Sequence, residues 1–188
     1  MRRLSLAASG TTLAILTAVA AFPAQADTHM ESWAVDLTTV TQDGTGESVG
    51  TVTISPADEG GTAFQVAVTG LQEGAHGFHV HENGSCEPSQ NDQGEIVPGG
   101  AAGSHWDPDG TGTHQGPEGD GHLGDLPSIT ADADGAIDET VIAPRIEDMS
   151  QLAGLAVIIH QGGDTYSDEP KLGGGGARMV CGVIPAQQ

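Results

Sequence analysis

The chain never sustains a helical period. Its apolar residues come in short runs where every second position is apolar, and glycine-containing turns separate the runs. Residues 50–55 and 64–71 show this most clearly, with the spacing that sends successive side chains to opposite faces of a strand. The same reading predicts strands over 32–40, 77–81, 129–134, 139–143, 154–160 and 178–184. About eight short strands and no helix predict an all-β fold, an antiparallel sandwich or Greek-key β-barrel. At 188 residues and 37% hydrophobic composition, the chain suits a single domain with one modest core of Val, Ile, Leu and Ala. Two stretches interrupt the strands, 82–125 and 161–177. Loops this long in a compact domain are expected to carry function. Residues 99–125 hold nine glycines and also three histidines, which a linker would not need.

Charge removes whole classes of function. Five basic residues face 26 acidic ones, a formal charge of −21. No basic patch exists to replace the counterions of a phosphate backbone, so nucleic acid is excluded as a partner. Six aromatic residues also leave little to stack on bases. Two of the five cations, Arg2 and Arg3, open a mildly apolar stretch from Leu4 to Ala21. Ala24-Gln25-Ala26 then supplies a small-x-small pattern. Residues 1–26 therefore read as a signal peptide cleaved after Ala26, leaving a single domain over 27–188. The stretch is too weakly apolar for a retained span, so no membrane anchor is expected in the mature form. The destination is outside the cytoplasm, periplasmic or extracellular. Only Arg145, Lys171 and Arg178 then remain basic.

Two cysteines, Cys86 and Cys181, survive in an exported chain and read as a disulfide, with thiolate metal ligation the alternative. The histidines carry more. His79 and His81 lie two apart on a strand, so both imidazoles leave the same face, as two ligands of one metal must. His105, His114, His122 and Asp125 offer three imidazoles and a carboxylate, an adequate tetrahedral set for zinc. His160, at a strand end, joins His79 and His81 in an imidazole-only group of the kind that suits copper. Two four-coordinate metals need eight positions, and seven ligands are at hand once His76 is assigned to satisfying backbone groups. One shared imidazole would close the count.

Several segments together carry a resemblance. They are His79-Val80-His81, Gly103-Ser104-His105-Trp106-Asp107-Pro108, His114-Gln115-Gly116-Pro117-Glu118-Gly119 and Gly121-His122-Leu123-Gly124-Asp125-Leu126-Pro127. Gly173-Gly174-Gly175-Gly176-Ala177-Arg178-Met179-Val180-Cys181-Gly182-Val183-Ile184 completes the set. With these, nearly all of the mature chain resembles exported bacterial copper/zinc superoxide dismutases. The resemblance implies one copper and one zinc per chain, superoxide as substrate, and either a monomer or a homodimer. It implies copper on His79, His81, His105 and His160, and zinc on His105, His114, His122 and Asp125, with His105 the bridge. Asp164 falls where the family has a carboxylate hydrogen-bonded to His79 and His114. Arg178 matches its anion-docking arginine, and Cys86–Cys181 its disulfide. Catalytic roles fall to Arg178 and His105. Ser104 stands where glycine is often found, and Lys171-Leu172 sets the second loop apart. Two other readings use fewer of these residues. A cupin-type metal oxygenase would leave His105, His114, His122 and Asp125 idle, and an exported metal buffer would not need Arg178.

Overall fold

The computed structural model describes residues 32–186. The expected leader (1–26, with its cleavage after Ala26) and His29 lie outside them. Eleven strands follow in order: β1 (Trp33–Thr41), β2 (Gly44–Pro56), β3 (Thr62–Val68), β4 (Gly74–His76), β5 (Phe78–His81), β6 (Ser89–Gln90), β7 (Ile96–Val97), β8 (Ile129–Ala131), β9 (Ile137–Ala143), β10 (Ala156–His160) and β11 (Arg178–Val183). Seven form one antiparallel sheet in the order β5-β10-β11-β1-β2-β3-β9. β4 pairs with β8. Because β4 runs into the edge strand β5 through Gly77 alone, and β8 turns into the other edge strand β9, that pair curls the sheet into a Greek-key barrel. This is the all-β architecture expected from the sequence.

Alternation decides what each strand buries. Val35 and Leu37 of β1, Val52 and Ile54 of β2, and Phe64 and Val66 of β3 point inward, each at most 1% exposed. Phe64 meets Phe78 edge to face at 5.9 Å. Phe78 and Val80 of β5, and Val157 and Ile159 of β10, belong to the same inner core. The intervening residues of these two strands face out of the barrel, yet β5 and β10 are buried along their whole length. The two long loops cover that outer face. A satellite apolar cluster of Val40, Cys86, Ala102, Ala156, Ile158 and Cys181 seats the first loop on it, with Cys86 and Cys181 joined in a disulfide.

Some elements differ from the sequence reading. β2 begins at Gly44, because the β1–β2 hairpin extends into solvent where no apolar alternation is needed. The strand expected to reach Leu71 ends at Val68. Gly70, at φ 85°, turns the chain there. The first loop contains the short pair β6–β7. Asn91 Oδ1 closes its turn by accepting from Gln93 N and Glu95 N at 3.0 and 2.9 Å.

The Cys86–Cys181 bridge spans a sequence separation of 95 residues. Replacing both cysteines by serine is expected to lower unfolding free energy by about 4–5 kcal/mol in denaturant titrations. A loss below about 1 kcal/mol would mean that the satellite cluster alone seats the loop.

Candidate metal centre

β5 builds the first part of the site. Its inner residues Phe78 and Val80 fix the strand in the core, which leaves His79 and His81 side by side on the outer face. β10 lies next to it, with Ile158 opposite His79 and Ala156 opposite His81, and ends at His160 on the same face. The other edge of β5 is taken by two arms of the first loop. Trp106 N donates to Val80 O at 2.9 Å and Val80 N to Gly124 O at 2.9 Å, while Gly124 N donates to Trp106 O at 2.8 Å. His105 thereby bridges to His81, and Asp125 to His79. Position 124 must be glycine for this approach, since a Cβ there would sit 2.3 Å from Val80 O.

Two groups of four result. His79, His81, His105 and His160 converge, as do His105, His114, His122 and Asp125; within each group the ligand atoms lie within 4.8 Å of one another, and His105 is common to both. All seven residues are buried. His76 stands apart, its ring nitrogens 2.6 Å from His160 O and 2.8 Å from Gln72 O.

Each ring spends one nitrogen on the protein. His81 Nδ1 donates to Gly103 O at 3.0 Å and His160 Nδ1 to Gly176 O at 3.3 Å. His79 Nε2 and His114 Nε2 donate to the two oxygens of Asp164, at 2.6 and 2.7 Å. Three of the opposite nitrogens, His79 Nδ1, His81 Nε2 and His160 Nε2, are buried without a hydrogen-bond partner, whereas His114 Nδ1 faces Asp125 Oδ2 at 2.9 Å. An unpaired buried polar atom costs about 1–3 kcal/mol. Three of them, all in the first group, fit a site made for metal, and an N3O set beside an N4 set fits zinc beside copper. In the second group Asp125 faces three ring nitrogens at once: His105 Nδ1 and His114 Nδ1 at 2.9 Å and His122 Nδ1 at 3.3 Å.

The electrostatics keep most of these lone pairs available. Burial pushes His105 down to about 4 and His160 to about 3. His79 and His81 are also lowered, by burial first; the neighbouring Arg178 charge adds to the effect at His81. His114 is the exception. Burial would lower it, but its hydrogen bonds and attraction to Asp125 and Asp164 prevail and raise it to about 9. Those carboxylates in turn sit below their usual range, because the histidine contacts outweigh burial.

Arg178 lies at the start of β11, opposite His160. It donates to Gly99 O at 2.6 Å and Gly103 O at 2.5 Å. With His81, His105, His160 and Lys171 it lines a pocket of about 390 Å³. Across residues 48–184 the sequence matches the model of the copper/zinc superoxide dismutase family. The chain belongs to that family. The Brucella abortus copper/zinc superoxide dismutase is 52% identical over 165 residues, 87% of this chain and 92% of that protein. A solved Brucella abortus copper/zinc superoxide dismutase superposes with a TM-score of 0.80, covering 82% of this chain and 99% of the other. The solution structure of the monomeric Salmonella enterica copper, zinc superoxide dismutase gives 0.72 at 49% identity, with the same coverages. The protein is thus a copper/zinc superoxide dismutase, an oxidoreductase with one copper and one zinc as its metals.

Sequence reasoning did not single out Gly124 or Arg145. Arg145 Nη2 and Nη1 donate to Gly121 O at 3.0 Å and His122 O at 3.3 Å. Nothing in the sequence marks an arginine that bonds only main-chain carbonyls.

With no metal in place, His114 carries a proton at pH 7 that Nδ1 must give up to become a ligand. Zinc loading at pH 7 is expected to release that proton. Affinity should rise with pH up to about 9, by as much as tenfold per unit from this group. Titration calorimetry in two buffers of different ionisation enthalpy measures the release, and identical heats in both would refute it.

Proposed function

We propose that copper is held by His79, His81, His105 and His160 and zinc by His105, His114, His122 and Asp125, with Arg178 docking the substrate anion. The observation that carries this is the convergence of two buried groups of four that share His105, the first with three ring nitrogens left without partners beside the pocket that Arg178 lines. When bound, copper supplies one-electron redox chemistry that converts two superoxide anions and two protons to dioxygen and hydrogen peroxide, while redox-silent zinc orients His105.

The residues divide the remaining work. Arg178 offers a permanently charged planar fork. Its bonds to Gly99 O and Gly103 O fix the guanidinium at the pocket wall, so a small anion meets a prepared cation. Gly103 O also accepts from His81 Nδ1, which ties the docking group to a copper-set ring through one carbonyl. His105, oriented from its Nδ1 side, holds a proton at Nε2 in one half of the cycle and passes it to the departing peroxide in the other. Asp164 fixes the rings of His79 and His114 together, the role that ring N–H groups of metal-ligating histidines require.

Long-range electrostatics oppose the substrate, because 26 acidic residues repel an anion. Two of the three cations expected in the mature chain, Lys171 and Arg178, line the pocket and provide local attraction against that background. The mature chain is proposed to be the single domain 27–188, released after Ala26 without a membrane anchor and working outside the cytoplasm, in the periplasm or the extracellular space. Both ligand groups lie within one chain, so a monomer like the Salmonella enterica relative would suffice and a homodimer is not required for chemistry.

Superoxide consumption measured beside elemental analysis tests the assignment. The protein should hold one copper and one zinc, and His81→Ala should lose copper while His122→Ala loses zinc. Arg178→Ala is expected to keep both metals and lose about 10- to 1,000-fold in kcat/KM. Added salt separates the two fields: a slower wild-type enzyme means that local attraction governs approach, a faster one that the global repulsion does. Unchanged kinetics in Arg178→Ala would remove the docking role.

A further inference from the structure

Among the described residues, the ion pairs all join a histidine to a carboxylate. Arg145 is surrounded by acid, sharing an open hollow with Asp109, Glu147 and Asp148. Its guanidinium nevertheless turns to two consecutive main-chain carbonyls, Gly121 O and His122 O. We infer that Arg145 is a positioning residue that fixes the main chain of His122 and thereby sets the zinc affinity of the second ligand group. This inference rests on the assignment of His122 to zinc.

The two ends of Arg145 are held very differently. Its backbone follows β9 on the barrel. Flanking Ile146 is fully buried in the inner core. Ile146 N donates to Ala143 O at 3.3 Å, and Ile146 O accepts from Thr62 Oγ1 at 2.6 Å. The root is therefore rigid. Residues 121–122, by contrast, belong to the first loop, and their other main-chain bonds stay inside it. His122 N donates to Thr113 O at 2.9 Å, and His122 O accepts from Asp125 N at 3.4 Å. Arg145 ties this loop segment to the β3–β9 side of the barrel, while Asp125 is tied to β5. A planar fork with fixed donors can grip two carbonyls at once, whereas the single ammonium of lysine cannot hold both in the same geometry. Groups that orient metal ligands from behind typically change metal affinity 10- to 100-fold when removed.

The test uses the copper-loaded full-length protein with Arg145→Met and Arg145→Lys, measuring the zinc dissociation constant by chelator competition. Arg145→Met should weaken zinc about tenfold or more. Arg145→Lys should fall between it and the wild type, with copper content and far-ultraviolet circular dichroism unchanged in both. Cobalt placed in the zinc position should show shifted visible bands in Arg145→Met, reporting altered ligand geometry. Zinc affinity within twofold of wild type would overturn the inference. So would a fall in thermal stability of the metal-free protein with zinc affinity intact, because that marks a purely structural contact. His122→Ala serves as the reference. If it binds zinc like the wild type, the ligand assignment itself fails, and the inference with it. If it loses zinc while Arg145→Met does not, only the inference fails.

Discussion

The open edge of β5 is the constraint on which the metal centre depends. A barrel strand at the end of a sheet presents unpaired N–H and C=O groups, which must find partners when buried. Here β10 takes one side of β5, and the chain segments around His105 and Asp125 take the other. Val80 alone, through its N–H and C=O, receives both arms. The backbone requirement of one short strand thus delivers two residues of the second ligand group to the flank of the first. The first loop is long because it must leave the barrel, present three histidines and return twice to the same edge. Its glycines follow from those close approaches, most plainly at Gly124.

Two arginines grip this loop from opposite sides. Arg178, on β11, takes the carbonyls of Gly99 and Gly103 beside the copper-assigned group, and Arg145, after β9, takes those of Gly121 and His122 beside the zinc-assigned one. A carboxylate partner would neutralise each cation and cap its reach. A carbonyl fixes the geometry and leaves the positive charge in place. At Arg178, which lines the metal pocket, that choice keeps a local positive field within a strongly acidic chain.

Much of the fold was legible because alternation is a direct imprint of a two-faced strand. Where a strand is too short or too exposed to need apolar residues, the imprint vanishes. This is why β4, the β6–β7 pair and the first residues of β2 left no pattern. His79 and His81 could be read from spacing alone, since two residues apart on a strand means one face. Grouping His105, His114, His122 and Asp125 required only their chemistry, but the sharing of His105 rested on a count of positions and on resemblance. The role expected of Asp164 came from resemblance alone. The carboxylate lies 85 residues from His79 and 50 from His114, and only the folded second loop brings it to both. Arg145 stayed invisible because its partners are main-chain atoms, which every residue has.

Asp164 also makes the two ligand groups one unit. Its two oxygens each take a ring N–H from a different group, which fixes the tautomer of His79 and His114 together. His105 joins the same groups directly. A disturbance in either group therefore reaches the other by two routes, one through a shared ring and one through a shared carboxylate. The second loop holds that carboxylate closely. Gly173, at φ 73°, packs so near that a Cβ there would meet both Asp164 and His114. The main chain of Thr165 is bonded to Gly173 O at 3.1 Å. The same loop carries Lys171 to the mouth of the pocket. Metal geometry and substrate approach are consequently set by one short run of backbone, so the conformation that orients the ligands is also the one that forms the entrance.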